Sequence, residues 1–108
     1  MAGERVCRCA SEFGDLLAEV AYCLERLGAY DYCTDESLCR SIFGQAVGYA
    51  EDAMRRLERL ERCLGRDLPR IRDMVANLYR DIRQESIASA KSACYDIIID
   101  ALSEICGV

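Results

Sequence analysis

Histidine is absent from this sequence of 108 residues. Its absence removes the commonest general acid–base group, a frequent neutral metal ligand and the one side chain that ordinarily titrates near neutral pH. No arrangement of nucleophile, base and orienting group stands out among the residue types that remain. We therefore predict a protein that is not an enzyme, with no catalytic residue and no cofactor.

Long apolar runs are missing too. The first fifteen residues carry five charged side chains and no run of seven apolar residues, unlike a secretory signal. A membrane-spanning helix needs about 20 mostly apolar residues, whereas the densest aliphatic stretch is Ile97–Ile99, between Asp96 and Asp100. We expect a cytoplasmic protein that does not associate with membranes.

The sequence is rich in helical periodicity. Between Thr34 and Gly65, apolar residues alternate at spacings of four and three, which is typical of a helix that packs lengthwise on other helices. Thr34 is the predicted N-cap and Gly65 the predicted C-terminal cap. At 1.5 Å per residue this helix is roughly 45 Å long, and we expect the rest of the chain to pack along it. Its apolar positions are Cys39, Phe43, Ala46, Ala50, Ala53, Leu57, Leu60 and Leu64.

The same pattern begins at Val6 and predicts a first helix, joined to the central helix by Gly28–Cys33. Folded back antiparallel, this helix places Cys7 within about one helical turn of Cys63, close enough for a disulfide. Cys23, Cys33 and Cys39 gather at the opposite end. The apolar positions are Val6, Ala10, Phe13, Leu17, Val20, Leu24 and Leu27.

A third helix is predicted after Gly65, with Asp67 as its cap and Pro69 in its first turn. Its apolar face comprises Ile71, Val75, Leu78 and Ile82, and the face then shifts by roughly 140° to Ile87, Ala90, Cys94, Ile98, Ala101 and Ile105. One helix over 68–106 would overhang the central helix, so we prefer a break within 84–89. Residues 1–108 are thus predicted to form one all-α domain, an antiparallel bundle of three long helices or, preferably, four.

Eight cysteines are the most unusual feature of the composition. In a reducing cytosol cysteines ordinarily bind metal, take part in redox chemistry or stay buried as thiols, but intracellular proteins of hyperthermophiles do carry disulfides. Each disulfide adds about 2–4 kcal/mol, which is large beside the roughly 5–15 kcal/mol of a whole domain. We therefore prefer a disulfide-stapled bundle, from a thermophile or a virus. The candidates are Cys7, Cys9, Cys23, Cys33, Cys39, Cys63, Cys94 and Cys106.

Two alternatives remain for these cysteines. One is a thiolate site for zinc or Cu(I), but the chain has no Cys-x-x-Cys pair and no row of cysteines along one helix, so we assign no metal ligand. The other is a set of reduced thiols packed as small apolar groups, which fits Cys39 and Cys94 on apolar helix faces.

Charge is divided unevenly along the chain: residues 1–54 carry a net charge of −6, residues 55–83 carry +4 and residues 84–108 carry −3. The basic end at 55–72 is either a solvated face paired within its own helices or a surface that docks an acidic partner or another copy of the chain. The overall charge of −5 argues against nucleic acid as the main ligand. The candidate interaction residues are Arg55, Arg59, Arg62, Arg66, Arg70 and Arg72.

The function we predict is that of a disulfide-stabilised assembly protein, either a homo-oligomer or one that binds an acidic protein. The alternative is a cysteine-thiolate metal-binding protein. A third reading is a small all-α nucleotide hydrolase, because Glu12–Glu19 is similar to one metal-binding helix of all-α nucleotide pyrophosphohydrolases. Their site needs a second acidic helix upstream, and only eleven residues precede Glu12.

Overall fold

A computed structural model describes residues 9–106, with side chains as far as Ile105. It contains four helices: α1 (Ala10–Tyr32), α2 (Glu36–Leu64), α3 (Pro69–Arg83) and α4 (Ile87–Cys106). The described part of the chain has no β-strand. The short connections between successive helices make them antiparallel neighbours.

The four helices form an elongated bundle of 51 × 21 × 19 Å. Each helix packs against two others: α1 contacts α2 and α4, and α3 contacts the same two helices from the other side. Across the diagonals, α1 does not approach α3 and α2 does not approach α4 anywhere in the described range. The four-helix prediction is therefore confirmed, and the alternative with three long helices is wrong.

The core follows the predicted face of α3 most closely. Every predicted apolar residue of α3 is fully buried, whereas α1, α2 and α4 each bury several predicted positions and are displaced by one residue at others. In α1, Leu16 is buried where Leu17 was predicted, and in α4, Ile97 is buried where Ile98 was predicted. Each helix faces two neighbours, so the centre of its buried stripe points between them. The buried core comprises Phe13, Leu16, Val20, Cys23, Leu27, Ile42, Ala46, Ala50, Ala53, Leu57, Leu60, Leu68, Ile71, Val75, Leu78, Ile82, Ala90, Cys94, Ile97, Ala101 and Ile105.

The α1–α2 connection is shorter than the predicted Gly28–Cys33, because α1 stays helical as far as Tyr32. The cap of α2 is Asp35 and not Thr34: the Asp35 carboxylate accepts the Leu38 N–H at 2.9 Å. At the other end of α2 the predicted cap is confirmed. Gly65 adopts a left-handed conformation with φ 73°, which glycine reaches without a steric penalty.

The start of α3 differs from the prediction in its capping group. Leu68, and not Asp67, occupies the N-cap position, and its own side chain caps nothing. The capping acceptor is the buried Glu61 carboxylate of α2, which accepts the Leu68 N–H at 2.8 Å. Pro69 begins the helix, as predicted, at a position where a missing N–H costs nothing.

The break between α3 and α4 falls at 84–86, inside the predicted range. Glu85 has a left-handed backbone with φ 57°. The Ser86 N–H donates to the Asp81 carbonyl at 2.8 Å and the Glu85 N–H donates to the Ile82 carbonyl at 2.9 Å, which is the hydrogen-bond pattern of a Schellman motif. A glutamate therefore occupies the position that glycine usually fills in this motif.

Candidate functional site

Two disulfides join α1 to α2 at opposite ends of the hairpin. Cys9, just before α1, is bonded to Cys63 in the last turn of α2, with their Cα atoms 6.1 Å apart. Cys33 is bonded to Cys39 across the α1–α2 connection, with a Cα separation of 5.6 Å. These two bridges fit the predicted disulfide stapling.

The expected bridge between Cys7 and Cys63 is wrong, because Cys9 holds the Cys63 sulfur. The prediction placed Cys7 on a continuous helix from Val6. Cys9 instead has a left-handed backbone with φ 60° and α1 begins only at Ala10, so Cys9 is not itself part of the helix. Cys7 itself and the side chain of Cys106 lie outside the described residues.

Cys23 and Cys94 are free thiols buried in the core, and neither is part of a disulfide. The Cys23 thiol donates to the Ala46 carbonyl at 3.5 Å. The pKa of the Cys94 thiol is raised far above its ordinary value, mainly by a hydrogen bond with Cys23 and secondly by burial. Cys94 thus matches the alternative of a reduced core cysteine, whereas Cys39 does not, because it is oxidised.

One cluster of metal-ligating atoms occurs within residues 9–105. The sulfurs of Cys9 and Cys63 and a carboxylate oxygen of Glu12 all lie within 4.8 Å of one another. Cys63 is exposed, and the other two residues are partly buried. Glu12 is in the first turn of α1, three residues after Cys9, so its side chain returns towards the sulfur pair.

The basic end is largely neutralised by acidic residues of neighbouring helices. Arg66, in the connection between α2 and α3, pairs with Glu104 of α4 at 3.5 Å, and Arg70, in the first turn of α3, pairs with Asp100 of α4 at 3.0 Å. Arg72 pairs with Glu61. Three of the six candidate arginines are therefore already paired with carboxylates of the bundle itself.

Arg55, Arg59 and Arg62 face solvent on α2. Arg55 pairs only with Asp52 of its own helix, and no carboxylate of the described chain lies within 4.0 Å of Arg59 or Arg62. Beside Arg55 an open groove of about 360 Å³ runs between α2 and α3. The groove is lined by Ala50, Glu51, Met54, Arg55, Val75, Ala76 and Tyr79. We call this groove together with Arg55, Arg59 and Arg62 the α2–α3 face.

The acidic residues of the hydrolase-like stretch do not converge. Asp15 and Glu19 both approach Arg56, at 3.6 Å and 3.5 Å, whereas Glu12 is beside the Cys9–Cys63 bridge. A divalent-metal site of the kind that such hydrolases use needs several carboxylates around one point. The arrangement therefore gives the third reading no support.

Two contributors to these regions were missed from the sequence. The role of Glu61 depends on a contact with the next helix, although its position directly after Leu60 at the edge of the apolar seam was a visible signal. The proximity of Glu12 to Cys63 depends on which residue before α1 meets Cys63, and the sequence placed Cys7 there instead of Cys9. No helix in the described range is long and apolar enough to span a membrane. Comparisons with protein-family models, curated proteins and solved structures find no match.

Proposed function

We propose that this protein is a non-enzymatic assembly protein that binds an acidic, partly apolar segment of another protein chain on its α2–α3 face. The observation that carries the proposal is an apolar groove bordered by the exposed Arg55, with the exposed Arg59 and Arg62 further along the same helix. Met54 and Tyr79, which are only partly buried, offer apolar surface in the groove, and Arg55 stands at its edge. A helix with one apolar and one acidic side is the kind of ligand that suits such a surface.

The two components of the face contribute differently to binding. Burial of apolar surface in the groove supplies affinity, at about 25 cal/mol for each Å² removed from water. The arginines attract an acidic partner from a distance, raise the association rate and exclude basic partners. Guanidinium groups also bind carboxylates in a bidentate geometry, which fixes the orientation of the partner.

A second copy of the chain is the first partner to test. Residues 1–54 carry a net charge of −6, so the chain itself provides acidic surface for the arginines of another copy. The Cys9–Cys63 and Cys33–Cys39 bridges support this role because they hold α1 and α2 in one arrangement before a partner arrives. A preorganised surface loses less conformational entropy on binding. The cytoplasmic location and the thermophilic or viral origin stay predictions.

The test is the simultaneous change of Arg55, Arg59 and Arg62 to Glu. Sedimentation velocity over a concentration series should show association of the wild-type chain and little or none of the variant, with a nearly unchanged melting temperature. A matched control carries Arg40→Glu, Arg70→Glu and Arg80→Glu, three exposed arginines outside the α2–α3 face, and makes the same change in net charge. The control should associate like wild type.

An acidic partner is examined with a synthetic amphipathic helical peptide that carries glutamates opposite its apolar side. It should bind the wild type and the control, and bind the Arg55/Arg59/Arg62 variant much more weakly. Unchanged association and peptide binding in that variant, together with a lower melting temperature, would assign these arginines to stability and refute the proposal. The proposal would also be refuted if the wild-type chain stays monomeric and does not bind the peptide.

A further inference from the structure

We propose that reduction of the Cys9–Cys63 disulfide turns this end of the bundle into a Zn²⁺ site with Cys9, Cys63 and Glu12 as its ligands. The site depends on three potential ligand atoms that converge in the folded chain, with each pair no more than 4.8 Å apart. It is independent of the α2–α3 face and of the assembly function proposed above.

The ligand set suits zinc. Thiolates at about 2.3 Å and a carboxylate oxygen at about 2.0–2.2 Å are ordinary zinc ligands. Two sulfurs on one tetrahedral zinc are roughly 3.8 Å apart at these bond lengths, so they must separate once the bridge is broken. Cys63 is exposed, which leaves its side chain free to move. Glu12 favours zinc over Cu(I), because Cu(I) prefers ligand sets made of sulfur alone.

The start of α1 favours negative charge at two of the three ligands, Cys9 and Glu12, whereas the last turn of α2, which carries Cys63, does not. Two thiolates, one carboxylate and one Zn²⁺ leave a net charge of −1. Cys9 immediately precedes α1 and Glu12 lies in its first turn, where the unpaired N–H groups and the helix dipole stabilise negative charge. With three protein ligands the fourth position is open to water, as in zinc sites that exchange ligands.

The chemistry balances in two steps. A dithiol or phosphine reductant supplies two electrons to the Cys9–Cys63 bond and is itself oxidised, and two protons from solvent complete the two thiols. Zn²⁺ then replaces the two thiol protons, which are released to solvent. A small-molecule disulfide can reverse the process: it accepts two electrons from the two thiolates and leaves as two thiolates, the Cys9–Cys63 bond forms again and Zn²⁺ is released. Zinc uptake is therefore linked to the redox state of one bond.

The experiment measures zinc affinity by competition with a chromophoric chelator. The intact chain is used either oxidised or reduced anaerobically with a phosphine that is then removed. The reduced wild type should bind one Zn²⁺ at this site, and the oxidised wild type should not. Co²⁺ in place of Zn²⁺ should give a sulfur-to-metal charge-transfer band only in the reduced chain.

Three variants assign the site. Loss of a group that merely orients a ligand typically costs about 10- to 100-fold in metal affinity, so Glu12→Gln should weaken binding by at least about tenfold in the reduced chain. Cys63→Ser should abolish both the tight binding and the Co²⁺ band. The matched control Cys33→Ser/Cys39→Ser, which removes the other bridge, should bind like the wild type.

Several results would overturn the assignment. These are no uptake by the reduced chain, equal uptake by the oxidised chain, an affinity unchanged by Glu12→Gln, or loss of binding in the Cys33/Cys39 control with retention in Cys63→Ser. Far-ultraviolet circular dichroism of each reduced variant checks that the helices persist. Glu12→Gln leaves both bridges intact during folding and so keeps the test decisive should Cys63→Ser fail to fold.

Discussion

The Glu61 carboxylate of α2 accepts the backbone N–H of Leu68 at 2.8 Å and so caps α3 from a neighbouring helix. The same carboxylate pairs with Arg72, one turn into α3. Glu61 is only 6% exposed, whereas the Arg72 side chain is 40% exposed. The buried Glu61 carboxylate thus accepts a backbone N–H that has no partner within α3 and neutralises Arg72. Both contacts hold the start of α3 against the end of α2.

We expect Glu61→Ala to destabilise the bundle by about 2–3 kcal/mol, because it removes an N-cap acceptor and leaves the Leu68 N–H without a partner. Urea unfolding followed by circular dichroism measures the change. The control is Glu58→Ala, which removes an exposed carboxylate 3.9 Å from the same Arg72 and should cost no more than about 1 kcal/mol. Equal losses in the two variants would contradict the capping role.

Glu85→Gly should stabilise the protein, by about 1 kcal/mol, since a left-handed conformation costs a residue with a Cβ roughly 1–2 kcal/mol. Part of that gain is offset by the greater freedom of glycine in the unfolded chain and by loss of the exposed Tyr30–Glu85 hydrogen bond of 3.1 Å. Glu85→Gln keeps the backbone penalty and serves as the comparison. A melting temperature of Glu85→Gly at or below that of Glu85→Gln would show that the left-handed backbone at residue 85 does not destabilise the protein.

The two disulfides should differ in their contributions to stability. Cys9 and Cys63 are 54 residues apart, and Cys33 and Cys39 only 6. The loop-entropy relation gives about 4 kcal/mol for the long loop and about 2 kcal/mol for the short one. Denaturant unfolding of the Cys9→Ser/Cys63→Ser and Cys33→Ser/Cys39→Ser variants should show this order, and a larger loss for the short loop would contradict it.

Cys23 and Cys94 should resist alkylation in the folded, non-reduced protein and react only after denaturation. Burial blocks access to both, and the raised pKa of Cys94 keeps its thiol protonated. The protonated form contributes stability below the ordinary thiol pKa, and that contribution would be lost only in strongly alkaline solution. Peptide mapping by mass spectrometry should find Cys9, Cys33, Cys39 and Cys63 unmodified in both samples. Rapid labelling of Cys94 in the folded chain would argue against this packing.

Local periodicity was sufficient to locate the core of α3, where the apolar residues form one narrow stripe. In α1 it was ambiguous, because Leu16 and Leu17 are adjacent, as are Cys23 and Leu24, and either member of each pair fits a four-three repeat. The choice depends on where α4 lies. That position in turn depends on the left-handed backbone of Glu85, which no glycine signals in the sequence.

The candidate surfaces were harder to predict, because each depends on contacts between distant segments. The alternation of negative, positive and negative segments indicated which parts of the chain attract one another. It did not reveal that Arg66 and Arg70 are neutralised by Glu104 and Asp100 while Arg59 and Arg62 stay exposed. The pairing of Cys9 with Cys63 likewise depends on where α1 begins, which no periodic pattern records.

The Cys9–Cys63 bridge also sets how the molecule would carry mechanical load. A pulling force that enters at Cys9 passes through the sulfur bridge directly into Cys63 and bypasses the whole α1–α2 hairpin. If the other anchor is Ile105, only α3 and α4 bear the tension, and their extraction releases roughly 140 Å of extended chain. With the bridge reduced, α1 and α2 would become extensible too, so the reach of the tethered molecule would depend on the redox state of that single bond.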